Sequence, residues 1–120
     1  MPTQSRPQSP GRLLDHPEPE EIRLEGVLHA LSDPMRLQIV RDLESVGIEQ
    51  ACADFGLPVS KSTTTHHFRV LRESGVIRQC YRGTAKMSHV RREDLEKLFP
   101  GLLDSVLLAA ARQAARLGED

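Results

Sequence analysis

Three groups of side chains in this 120-residue chain could do chemistry: the adjacent pair His66-His67, the cysteines Cys52 and Cys80, and the hydroxyls and cations between Ser60 and Arg72. The histidines do not form a chelating pair. Neighbouring residues on a helix point about 100° apart, so the two rings cannot close on one ion. Zinc sites take three or four ligands, commonly Cys or His. His16, His29 and His89 are scattered, no such set can be assembled, and no metal or other cofactor is expected. A Gly-rich phosphate loop, a nucleophile elbow and paired catalytic carboxylates are all missing, so an enzyme is not expected either. Cys52 reads as a small packed residue. Cys80 has Arg78 and Arg82 two residues to either side, the electropositive setting of a redox-responsive thiol.

The third group carries the argument. Ser60 is a good N-cap and Gly75 a good helix terminator. Between them Thr64, Phe68 and Leu71 recur at i, i+4 and i+7, one buried helical stripe. His67 projects with that stripe and is expected to be a hydrogen-bonded core histidine. The other face bears Ser62, Thr65, His66, Arg69 and Arg72, with no acid before Glu73. Such a helix suits the major groove of DNA. Ser60, Lys61, Ser62, Thr63, Thr65 and His66 lie at its start, the part of a recognition helix that reaches base edges. Arg69 and Arg72 are expected on phosphates, together with Arg82 and Lys86 further along.

The charge distribution agrees. Residues 1–57 hold 5 Lys and Arg against 10 Asp and Glu, residues 58–92 hold 8 against 1, and residues 93–120 hold 3 against 6. A net charge of −1 thus conceals a central third at +7, where a polyanion would be met. The length allows one domain. Aromatics make up 3%, so the core must be aliphatic and largely helical. Two cysteines are too few for a disulfide scaffold, and there is no apolar run long enough to span a membrane and no secretory signal. A reduced, cytoplasmic chain is expected.

The elements that must position the polar helix follow in order. Residues 1–17, rich in Pro, Ser and Gln, read as a disordered arm. The domain proper is expected over 18–117, with 118–120 flexible. Glu18 to Leu31 reads as a first helix with Leu24, Val27, Leu28 and Leu31 on one face. Asp33-Pro34 restarts a second helix, which runs to about Ser45 with Met35, Ile39, Val40 and Leu43 inward. Ile48 to Phe55 reads as a short third helix with Ala51 and Phe55 inward, and Gly56 to Val59 is the turn that delivers Ser60. After Gly75 the pattern becomes strand-like. Val76–Tyr81 and Ala85–Val90 flank Arg82-Gly83-Thr84 as a β-hairpin with a basic tip. Arg92 to Leu98 begins a further helix, interrupted at Pro100-Gly101. Leu102, Leu103, Val106, Leu107, Ala110, Ala114 and Leu117 then form a long apolar stripe that asks for a partner.

On these residues the chain resembles the ArsR/SmtB family of winged-helix repressors. The resemblance is carried by Leu28-His29-Ala30-Leu31-Ser32-Asp33-Pro34-Met35-Arg36-Leu37, by Ser60-Lys61-Ser62-Thr63, by His67 through Ile77, and by the Gly83-Thr84 tip. It covers roughly residues 20–100. It implies a mainly α fold of five to six helices with a β-hairpin wing. It further implies a homodimer held by the first and last helices (Leu24, Val27, Leu28, Leu102, Leu103, Val106, Leu107, Ala110 and Ala114), bound to a two-fold-related operator on double-stranded DNA. The paired-cysteine motif and the last-helix ligands that many members use to sense metal are not matched. Cys52 stands alone in its helix, and Asp104 is the one carboxylate between Leu102 and Leu117. Two alternatives follow: a DNA-binding subunit whose signal is sensed by a separate partner protein, and a repressor that responds to oxidation at Cys80. A winged helix that binds protein instead of DNA fits the +7 centre less well.

Overall fold

Asp33-Pro34 makes the first firm corner of the chain. In the computed structural model, which describes residues 11–47, 49–51 and 57–119, Asp33 Oδ2 accepts the backbone N–H groups of Met35 and Arg36 at 2.9 and 3.1 Å. Pro34, whose missing N–H costs nothing in a first turn, opens the helix. The elements are β1 (Gly11–Leu13), a 3-10 turn (Pro19–Glu21), α1 (Leu24–Leu31), α2 (Pro34–Val46), β2 (Gln50–Ala51), α3 (Lys61–Glu73), β3 (Ile77–Arg82), β4 (Ala85–Val90), α4 (Arg92–Leu98) and α5 (Leu102–Leu117). The winged helix-turn-helix architecture expected from the sequence is present. None of the described helices is long and apolar enough to cross a membrane.

One core serves all the helices. Val27, Ala30 and Leu31 of α1 meet Ile39, Val40 and Leu43 of α2 and Phe68 and Leu71 of α3. Val76, Ile77 and Val90 close it from the wing, and Leu95 and Leu103 from the last two helices. Phe68, Leu71 and Ile39 are among the fully buried side chains, each contributing roughly 1.5–3 kcal/mol by burial. The polar helix is therefore held by its inner stripe.

The sheet has the order β1-β3-β4-β2, antiparallel at every pairing. Its two flanking strands differ from the sequence reading. Gln50 and Ala51, assigned above to a short helix, pair instead with Ser88 and Met87 of β4. Two residues suffice because the open edge of β4 supplies the hydrogen-bonding groups that a helix would otherwise supply internally. The rest of that helix, at residues 48 and 52–55, with Cys52 and Phe55, lies outside the described residues, as does Gly56 of the turn.

The second difference concerns the arm. Gly11, Arg12 and Leu13, placed above in a disordered segment, pair with Arg82, Tyr81 and Cys80 along the free edge of β3. Leu14 N–H continues the pairing to Gln79 O at 3.3 Å. Gln79 N–H donates to His16 Nε2 at 2.9 Å, and Arg91 Nη1 donates to Pro17 O at 2.9 Å. Burial, reinforced by the charges of Arg78, Arg91 and Arg72, holds the His16 imidazole below its usual pKa despite the Leu14 backbone, which favours protonation. His16 thus stays neutral and able to accept. The first helix also starts later than its acids suggest. Glu18 to Glu21 form a capped 3-10 turn in which Glu21 Oε1 accepts Glu18 N–H at 2.7 Å, and α1 begins at Leu24.

Gly75 ends α3 with φ +91°, a conformation that disfavours any Cβ. A Cβ there would also lie 2.6 Å from Ile22 Cδ1 and Cγ1. The exit from the polar helix therefore requires glycine on two counts.

Candidate nucleic-acid interface

Ser60 begins α3 with an extended backbone, its Oγ accepting Thr63 N–H at 3.2 Å. The same hydroxyl donates to Thr63 Oγ1 at 2.9 Å and lies 3.2 Å from Ser62 Oγ. The first turn therefore presents a small cluster of hydroxyls around the exposed, Ser60-capped helix N-terminus, which favours anionic partners. Ser60, Lys61, Ser62, Thr63, Thr65, His66 and Arg69 are all exposed. Among the described residues, Lys61 and Arg69 have no acidic partner. His66 points outward and His67 inward, as their angular separation requires.

His67 is part of the frame that orients this face. Arg36, itself buried, donates through Nε to Ala30 O at 2.7 Å and through Nη2 to His29 O at 3.3 Å. Its Nη1 lies 3.3 Å from His67 Nδ1. A guanidinium has only donors, so Nδ1 accepts and the ring proton resides on Nε2. Asp33 Oδ2, at 3.9 Å from the same nitrogen, is too distant to compete. One arginine in the first turn of α2 thus satisfies the carboxyl end of α1 and holds α3.

Arg72 is less available than the spacing implies. It leans back from the helix to donate to Gln79 Oε1 at 2.7 Å, and Gln79 Nε2 donates to Ser88 Oγ at 3.0 Å. Gln79 and Ser88 face the core from β3 and β4, where both are almost wholly buried. Through Gln79, the end of the polar helix, both wing strands and the His16 segment share one buried network. Sequence reading missed Gln79. Its signal is an amide that alternates with Ile77 and Tyr81 along one face of β3.

The larger revision concerns the central positive charge. Arg78 and Arg91 both pair with Asp94, at 3.5 and 2.9 Å. Arg92 joins Glu44 of α2 to Asp104 of α5, the latter at 2.9 Å. Arg82, near the wing tip, is bonded to Glu49, which holds its pKa above the usual arginine value through that hydrogen bond and the carboxylate charge. Lys86 Nζ lies 5.7 Å above the Tyr81 ring, within range of a cation–π contact. Of the eight cations in residues 58–92, Lys61, Arg69 and Lys86 remain uncommitted to acids among the described residues, with Arg72 held by a neutral amide. The interface is narrower than the charge total suggests.

Glu49 also lies 3.8 Å from His89 Nδ1 and 4.0 Å from Cys80 Sγ. Burial is the main cause that holds His89 below its usual pKa. Cys80 is buried and free, and both arginines invoked to activate it are engaged by carboxylates. Glu49 provides a direct test of the wing. Glu49→Gln should release Arg82 and strengthen binding to duplex DNA about threefold at low salt, with a steeper salt dependence. An unchanged salt slope in a filter-binding titration would show that Arg82 does not meet DNA.

This fold, with a polar helix that carries no acid before Glu73 and an adjoining wing, is that of a winged helix-turn-helix DNA-binding protein. No family model matches the chain. It is 32% identical over 89 residues, covering 72% of the chain and 88% of the relative, to an uncharacterized HTH-type transcriptional regulator, YceK, of Bacillus subtilis (strain 168). It superimposes on the crystal structure of an ArsR family transcriptional regulator with a TM-score of 0.58 and 20% identity, over 72% of this chain and 96% of that one. The chain belongs to the HTH-type transcriptional regulators, with the winged fold of the ArsR type.

Proposed function

We propose that the protein is a homodimeric repressor that acts in the cytoplasm on a two-fold-related operator. The observation that carries this reading is the exposed face of α3, where hydroxyls, an imidazole and uncommitted cations stand together without an acid beside the wing. Thr65, His66 and the Ser62–Thr63 hydroxyls read base edges, while Lys61 and Arg69 grip phosphate with Lys86 from the wing, and Arg82 joins them only on leaving Glu49. Arg72 makes the smaller contribution, being held by Gln79.

Pairing is supported by the outer helices. Leu24 and Leu28 on α1 and Leu108 and Leu117 on α5 are between 43% and 56% exposed, more leucine surface than two solvent-facing helices need. Leu102, Val106 and Leu107 are half-buried against the core and extend that surface. Val27, Leu103, Ala110 and Ala114 are already buried within one protomer. Their role in pairing is to support the leucines. Leu108, absent from the sequence-derived set, belongs to the surface.

Selection of bound duplexes from a random pool tests the proposal. A sequence with two-fold symmetry should emerge, protected by a complex of two chains. Thr65→Ala or His66→Ala should relax preference at individual positions by about 1–3 kcal/mol. Recovery of no enriched sequence, or equal losses on selected and random DNA for both variants, would refute base reading by α3.

A further inference from the structure

Gln79 is 1% exposed and Ser88 is wholly buried, so neither side chain can touch a ligand. The two stand directly opposite each other on β3 and β4. The Gln79 amide reaches α3 on one side and β4 on the other: its Oε1 accepts Arg72 Nη1 at 2.7 Å, and its Nε2 donates to Ser88 Oγ at 3.0 Å. One step toward the wing tip, the next register row on the same sheet face pairs Tyr81 with Lys86. There the Lys86 ammonium lies over the Tyr81 ring. A single run of neighbours thus leads from the last turn of the polar helix to the wing row that carries Lys86.

An amide is a costly side chain to place there. It gives up its hydrogen bonds to water, and an aliphatic group would fill the same space without that loss. What the amide adds is direction. Packing of Phe68 and Leu71 holds α3 to the core, but apolar attraction sets no orientation. Hydrogen bonds do, because they demand a length and an angle. Arg72 bears a cost as well. Its Nε is buried with no hydrogen-bond partner among the described residues, so the side chain is drawn to Gln79 with one donor left unmatched.

We infer that Gln79 is a positioning residue for DNA recognition, its amide fixing the polar helix against the wing so that both engage one duplex in a set orientation. It acts through Arg72 and Ser88 and makes no contact with DNA itself. This rests on the DNA-binding reading above and adds to it a determinant of specificity that lies outside the contact surface. Phosphates repeat along every duplex, so helix and wing can each find them in many relative orientations. Base edges are met only when α3 enters the groove at a defined angle. Loosening the joint should therefore cost selectivity before it costs affinity.

The test titrates full-length proteins with the duplex selected from a random pool and with a random-sequence duplex, at several salt concentrations. Gln79→Leu should lower the ratio of the two affinities about tenfold while leaving random-duplex affinity at low salt undiminished. Its salt slope should steepen by about 0.9 per protomer, because Arg72 becomes available to phosphate. Gln79→Glu, whose carboxylate can accept from both Arg72 and the Ser88 hydroxyl, should restore ratio and slope. Ser88→Ala breaks one of the two side-chain bonds and should lower the ratio about threefold; it decides the matter if Gln79→Leu does not fold. Equal losses on both duplexes would reduce Gln79 to a support of the fold and overturn the inference. So would an unchanged ratio in whichever loss variant folds, or no recovery in Gln79→Glu. If the unmodified chain itself selects no duplex from the pool, base reading by α3 falls and the positioning role with it.

Discussion

Arg69→Glu is expected to raise the dissociation constant for duplex DNA about 100-fold at low salt, on selected and random sequences alike. The side chain is exposed on the outer face of α3 and has no acidic partner among the described residues. Its removal therefore breaks no internal ion pair. On the proposed reading, reversal takes away one phosphate contact in each protomer and sets a carboxylate against the backbone, so the loss comes from both terms and shrinks as salt screens them. Thermal stability should move by less than about 0.5 kcal/mol, the usual range for an exposed site. Equilibrium titrations at two salt concentrations decide it. Undiminished affinity would mean that α3 does not lie against DNA with its outer face.

Gly75→Ala is expected to be the most damaging single methyl in the chain. Two effects add. The residue sits at φ +91°, which costs a side-chain-bearing residue about 1–2 kcal/mol. The new Cβ also enters the volume of Ile22, at 2.6 Å from two of its carbons, and such overpacking typically costs 1–3 kcal/mol. A total of about 2–5 kcal/mol is a large part of the stability of a domain this size. Chemical denaturation should show it, and Ile22→Ala should make the second substitution milder, because the steric part disappears while the backbone part remains. A loss below about 1 kcal/mol, or strict additivity of the two substitutions, would show that the α3 exit is not tightly packed on Ile22.

The polar helix was legible because its evidence is local. A cap, a stripe at helical spacing and a terminator all fall within sixteen consecutive residues, and His66 and His67 separate by geometry alone. The hairpin and the corner at Asp33-Pro34 were legible for the same reason. What escaped detection depends on partners distant in the chain. Arg82 reads as a free cation until Glu49 is brought beside it from 33 residues away, and Arg92 until Glu44 arrives from 48 residues away. A count of charges cannot register this pairing. The Gln50–Ala51 strand and the β1 strap escaped for a different reason: each is made by backbone groups meeting an exposed edge, which leaves little trace in side-chain pattern. Arg36, by contrast, reads as an ordinary surface arginine, and only the converging carbonyls of His29 and Ala30 give it a buried role.

The order β1-β3-β4-β2 has a further consequence, for solubility. A bare two-stranded wing would present two open rows of N–H and C=O groups, each a template for another chain. Here the three residues of β1 cover one row and the two of β2 the other. The edges left outside are too short to nucleate a continuous intermolecular sheet. Each wing thus carries its own guard against joining another copy edge to edge.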